Sequence, residues 1–256
     1  MYTFDSRIRY SECDIDGYLT MESLIDYFQD CSTFQTQEGP ATMEVLEKEG
    51  IAWVLNSWQV VINRLPKLGE KVITGTIPYE LRGFMGLRNF FMRTTEGEEL
   101  AVANSIWSLI NLEKGTPSRI TEDMVKTYPV EPKLDMEYAP RKMALPEGAR
   151  CFDLPVKKVG VHHLDSNHHV NNGQYIRMAL IACGQVADNE NVDALSKMAT
   201  ARENMQIRAE YKQQAHLGDE IYPKVYVNDE NEELYCVVSL NDASGKAYSI
   251  VELKRI

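Results

Sequence analysis

The stretch HHLDSNHHVNN, residues 162 to 172, places four of the chain's five histidines within eight positions, beside one aspartate and three asparagines. Such a mixture could do acid–base chemistry, hold a metal or form a plain polar turn. His169 is of a type that titrates near neutral pH, so it can activate water or protonate a leaving group, a role that contributes roughly 10²- to 10⁴-fold when well positioned. Asp165 can act as a general base or attack a carbonyl directly, and the residue types leave both routes open. Asn167 is a neutral donor and acceptor, suited to holding a water or a carbonyl oxygen. Adjacent histidines in a turn rarely converge on one ion, and no His-x-x-x-His pair lies in the helical pattern that follows, so no metal is expected. His162, His163 and His168 are read as solvated or structural.

An internal repeat reveals the elements that must position these side chains. Shifted by 151 positions, DIDGYL (14 to 19) lies over DSNHHV (165 to 170), which sets Asp14 over Asp165, Asp16 over Asn167 and Tyr18 over His169. Both copies lead into a helical pattern. Thr20 caps a stripe of Leu24, Tyr27, Phe28, Cys31 and Phe34. Asn171 caps one of Tyr175, Met178, Ala179, Ala182 and Val186, with Gln174 at the capping-box position. Each stripe predicts a helix of about four turns. The start of the second helix, near Gly173, offers unpaired backbone N–H groups and about half a positive charge, which suits a developing oxyanion.

The repeat continues downstream with small slips. Leu68-Gly69-Glu70 lies over Leu217-Gly218-Asp219, LRNFFM (87 to 92) over YCVVSL (235 to 240), and EGEEL (96 to 100) over SGKAY (244 to 248). These segments are rich in β-branched and aromatic residues and are separated by glycine-containing turns, so they read as antiparallel hairpins. An α+β fold follows: two copies of a helix buried against the concave face of its own curved sheet. Residues 1–113 form the first copy and 151–256 the second. Residues 114–150 hold five prolines and little periodicity, which marks a connecting segment with a short helix over TEDMVKTY (121 to 128). Only the second copy joins Asp, Asn and His, so one active site is expected.

Composition narrows the partners. A formal net charge of −11 disfavours nucleic acid and anionic membranes, and no apolar run reaches the roughly 20 residues of a membrane span. Five scattered cysteines without a Cys-x-x-Cys pair fit reduced thiols in the cytoplasm better than a disulfide framework. A homodimer is compatible with all of this.

The motif D-x-N-x-H-V-N-N followed by Tyr175, the helix after it, the duplicated architecture and EYK (210 to 212) ahead of LGD together resemble the acyl–acyl carrier protein thioesterases of plants and bacteria. The resemblance covers most of the chain. It implies a tandem pair of hotdog domains and hydrolysis of the thioester between a fatty acyl chain and acyl carrier protein, without a cofactor. It also implies that Asp165, Asn167 and His169 are catalytic and that the N-terminal half shapes the acyl site, with IAWVLNSW (51 to 58) as a candidate wall. Where the plant enzymes have an acidic residue and a cysteine after the E-Y-x-x pattern, this chain has Gln214 and Ala215. Gln214 could hold water by hydrogen bonding, but an amide is no general base. A basic patch drawn from residues such as Arg88, Lys157, Lys158 and Arg177 would suit the acidic carrier. Two other readings keep the same fold: hydrolysis of coenzyme A thioesters, and a non-catalytic acyl-binding module.

Overall fold

The computed structural model describes residues 1–190, 192–228 and 235–256. The chain divides into two compact units: 1–60 with 65–139, and 61–64 with 140–256. The first holds strand β1 (Tyr2–Arg7), helices α1 (Met21–Glu38) and α2 (Met43–Lys48), most of strand β2 (Ile51–Arg64), strands β3 (Lys71–Arg82), β4 (Met85–Thr94), β5 (Glu99–Asn111) and β6 (Thr116–Pro117), and helix α3 (Glu122–Thr127). The second holds strands β7 (Arg150–Asp153) and β8 (Lys157–Lys158), helices α4 (Asn172–Glu190) and α5 (Asp193–Ala199), and strands β9 (Glu203–Tyr211), β10 (Glu220–Asn228), β11 (Tyr235–Asn241) and β12 (Ala247–Arg255).

Strand order exposes the duplication. In the first unit it runs β1-β3-β4-β5-β2, and in the second β7-β10-β11-β12-β9, so each strand has a counterpart at the same place in its sheet. The strand pairings β1–β3, β3–β4 and β4–β5 in the first unit, and β7–β10, β10–β11, β11–β12 and β12–β9 in the second, are antiparallel, as the hairpin pattern predicts.

Each sheet carries one long helix, and the apolar stripe explains why. In the first unit Phe28 of α1 meets Trp58 of β2 and Phe90 of β4 at ring-centroid distances of 6.1 and 5.5 Å, and all three are buried. Truncating any one of them to alanine would cost about 3 to 5 kcal/mol. In the second unit Cys183 of α4 lies 3.3 Å, sulfur to sulfur, from Cys236 of β11; both are buried, as are Ala179, Ala182 and Val186 of α4. The helices have 18 and 19 residues, about five turns rather than four. Polar turns without a breaker extend each helix past the last stripe residue, and α1 stops only at Gly39.

The caps fall where the sequence puts them. Thr20 accepts the N–H of Ser23 at 3.2 Å, and Asn171 Oδ1 accepts the N–H of Gly173 at 2.8 Å. Thr121 caps α3 in the same way.

The segment 114–150 is divided, and most of it belongs to the first unit. The N–H of Glu131 donates to the carbonyl of Pro78, that of Leu134 to Asn89 Oδ1, and that of Ala139 to Gln59 Oε1. Asn89 and Gln59 are buried amides, and hydrogen bonds to both hold the segment down. From Pro140 onward the chain turns to the second unit, where the Pro140 carbonyl accepts from Arg208 and the N–H of Met143 donates to Glu210.

Candidate active site

The histidine-rich stretch is a tight turn closed by its own aspartate. Val161–His163 make one turn of 3₁₀ helix, and Leu164 then bridges to Val170 across the loop. Within it the N–H of Asp165 donates to the carbonyl of His169 at 2.9 Å, and Asp165 Oδ1 accepts the N–H of Asn167 at 2.8 Å and, more weakly, that of His169 at 3.5 Å. His168 takes the left-handed conformation at φ 61° that lets the chain reverse. The short side chain of aspartate reaches backbone two residues on, which is why this residue type starts the turn.

The first copy repeats the geometry bond for bond. Asp14 N–H donates to Tyr18 O at 2.7 Å, Asp14 Oδ1 accepts from Asp16 and Tyr18 at 2.9 Å each, and Cys13 bridges to Leu19. Gly17, at φ 80°, stands where His168 does. Glu12 accepts the N–H of Arg9 at 2.8 Å, and His163 Nδ1 accepts that of Gly160 at 3.0 Å. His163 therefore does a glutamate's capping job; burial, followed by its neighbour His162, holds its pKa below the ordinary value.

A second segment, between β9 and β10, clamps the turn against α4. The N–H of Val170 donates to the carbonyl of Ala215 at 2.9 Å, the N–H of Ala215 donates to the Tyr175 hydroxyl at 3.1 Å, and the Tyr211 hydroxyl donates to the carbonyl of Asn172 at 3.0 Å. These bonds bring up a residue that the sequence reading left out. The ring of His216, the fifth histidine, packs edge-on against that of His169 with centroids 4.8 Å apart. Its Nδ1 is 3.7 Å from Asp219 Oδ2, and the same carboxylate oxygen accepts the His216 N–H at 2.8 Å. In the first copy Lys67 Nζ lies over the Tyr18 ring at 5.2 Å, and the Lys67 N–H donates to Glu70 at 2.9 Å. The repeat carried the signal, since Leu217-Gly218-Asp219 aligns with Leu68-Gly69-Glu70 and so sets His216 over Lys67.

Asp165 and His169 are half-buried, Asn167 is exposed, and all three share this turn. The pKa of His169 is pushed below the ordinary histidine value, first by burial and then by His216 and His168, while Asp165 opposes the shift. Two expected contributors stand differently. Gly173 does not offer a free donor, because its N–H is taken by Asn171 Oδ1; capping a buried helix end outweighs leaving that group for a ligand. Gln214 is exposed and makes no hydrogen bond among the described residues, whereas its neighbour Gln213 donates to Asp242 and to the carbonyl of Lys246. Ala215, at the cysteine position, is fully buried. Arg88, counted toward a basic surface patch, instead lies within the first unit, donating to Gln35 of α1 at 2.7 Å and to Thr76; burial lowers its pKa to about 10. Among the described residues no three His, Cys, Asp or Glu side chains are grouped to hold a metal ion, and no described helix is long and apolar enough to cross a membrane.

The family described as the acyl-ACP thioesterase N-terminal domain matches residues 1–128, half of the chain. The chain belongs to the acyl-ACP thioesterase family. The acyl-[acyl-carrier-protein] hydrolase FATB2, chloroplastic, of Cuphea viscosissima is 26% identical over 184 residues, which cover 66% of this chain and 44% of that relative. The match thus spans less than half the length of the curated relative. The acyl-ACP thioesterase structure from Bacteroides thetaiotaomicron is similar at a TM-score of 0.79 and 18% identity, covering 98% of this chain and 96% of that one. The 12:0-ACP thioesterase from Umbellularia californica is similar at 0.77 and 16%, covering 99% and 92%. These likenesses bear on the fold, which is the tandem hotdog that the duplicated helix-on-sheet units had implied.

Proposed function

We propose that this member of the family hydrolyses the thioester joining a fatty acyl chain to acyl carrier protein, releasing free fatty acid within fatty acid biosynthesis. The observation that carries the reading is the asymmetry of two otherwise equivalent turns: only the second presents Asp165, Asn167 and a partly buried imidazole of lowered pKa, His169.

A thioester is already an activated acyl group, so the site has to deliver water and stabilise an oxyanion. Neutral His169 accepts a proton from water as the oxygen attacks the thioester carbon. The tetrahedral oxyanion then collapses, the C–S bond breaks, and the imidazolium returns the proton to the departing thiolate. Asp165 favours the imidazolium through its charge, while its Oδ1 holds the turn. With the Gly173 N–H engaged, the Asn167 amide is the side-chain donor for the carbonyl oxygen, assisted by the positive end of α4. Gln214 has no step in this scheme. The domain assignment follows: the second half catalyses and the first shapes the acyl site. Five free cysteines support a cytoplasmic setting.

The test is a panel of acyl carrier proteins and coenzyme A loaded with the same acyl chains. The expected outcome is release of thiol and fatty acid, faster from the carrier protein. Failure to hydrolyse any member, with tight acyl binding, would overturn the enzyme reading in favour of a binding module.

A further inference from the structure

Resting on the proposed role of His169, the geometry points to His216, backed by Asp219, as a positioning residue whose ring, when charged, keeps His169 the neutral base. Three observations carry this. The two rings are in direct contact, at 4.8 Å between centroids and 83° between planes. His216 is the more solvated of the two, with 56% of its side chain exposed, and a carboxylate stands 3.7 Å from its Nδ1, where it would favour a charged ring. Finally, the first copy holds a permanent cation at this position: Lys67 lies over the Tyr18 ring with Glu70 on its backbone. His216 is the titratable counterpart of Lys67, placed against the one ring of the pair that does chemistry.

The charged groups acting on His169 besides His216 are Asp165 and His168 on its own turn; Asp219 stands at His216, with Tyr175 of α4 and Tyr248 of β12 near Asp219, and the substitutions at 216 leave all of them unchanged. As pH falls, a protonated His216 repels a second proton from His169. A neutral residue at 216 removes that repulsion, and a permanent cation makes it constant.

The experiment titrates the His169 ring by NMR in the full chain, assigned with a His169→Gln variant, for wild type, His216→Gln and His216→Lys. The expected order of His169 midpoints is His216→Gln highest, wild type between, and His216→Lys lowest. Thioesterase activity should follow: His216→Gln loses roughly threefold at pH 5.5 relative to wild type and nothing at pH 8, the size of a screened charge–charge contact. Midpoints that do not move, or that move the same way in both variants as a merely structural disturbance would make them, overturn the assignment. The NMR titration needs no substrate, so it stands or falls separately from the hydrolase reading.

Discussion

The two turns at residues 9–20 and 160–171 share a 3₁₀ start, an aspartate that ties two backbone N–H groups, a left-handed residue and a helix cap. They differ in what hangs on that frame. Tyr18 under Lys67 is a contact of an ordinary surface kind, while His169 beside His216 is a contact between two imidazoles. The frame alone is not the active site. Because the first copy keeps it without the histidine, the hydrogen bonds of Asp165 are explained by folding, and only its charge and the side chains at 167, 169 and 216 need a chemical reason.

The sharpest way to break this comparison is to turn the second copy into the first. His169→Tyr should fold normally, since Tyr18 occupies the same frame, yet lower kcat by roughly 10²- to 10⁴-fold. Circular dichroism and a melting curve would confirm the fold, and a thioesterase assay the loss. The reverse change, Tyr18→His, should create no second activity, because Asp16 stands where Asn167 does.

Asp165→Ala and Asp14→Ala separate frame from charge. Each should destabilise the chain by about 1 kcal/mol, the worth of a turn's hydrogen bonds in solvent, seen as a lower denaturant midpoint. Only Asp165→Ala should also cut activity. Asp165→Asn keeps an oxygen for the backbone and removes the charge, so it should hold stability and still lose rate. Equal activity in Asp165→Asn and wild type would show the charge to be irrelevant.

Acidification should expose the same asymmetry. The folded-state pKa of His169 lies below the ordinary histidine value, mainly through burial, so on acidification the unfolded chain binds that proton before the native one does. The contribution of His169 to stability is therefore full above the unfolded value, near 6.5, and is lost as pH falls from there through the native pKa. Catalysis by the neutral imidazole follows the native pKa, so the acid limb of kcat/KM should lie below the usual histidine range. His163 is lowered as well and adds to the stability loss in the same window. A His169→Tyr variant should lose the share of this pH dependence due to residue 169.

Much of the fold could be read from the residues because its signals are local. Helix stripes, caps at Thr20 and Asn171, and strand pairs between glycine turns each lie within a few residues, and the repeat confirms them against one another. The path of 114–139 was not legible, because it depends on hydrogen bonds to Asn89 and Gln59, which lie far away in the sequence. Nor was the pairing of His216 with His169, which requires the β9–β10 segment to close on the turn through Val170 and Ala215. Gly173 failed as a donor for a local reason that could have been foreseen: the Asn171 that caps the helix takes its N–H. Arg88 carried no sign of burial, since one charged residue in an alternating strand does not say which face it is on.

The smallest expected effect concerns the position where the frame is imperfect in the second copy. His168 holds φ 61°, a conformation that Gly17 adopts at φ 80° without a side chain to clash. His168→Gly should relieve that strain, against the greater chain entropy glycine gives the unfolded state, for a net gain of up to about 1 kcal/mol. Gly17→His should lose about as much. His168 also bears on His169 as a like charge, so its removal should let the His169 midpoint rise slightly. A stabilised His168→Gly enzyme with a near-normal rate at pH 8 would mark this histidine as a neighbour of the chemistry rather than part of it, whereas a large loss of rate would extend the active set to a third imidazole.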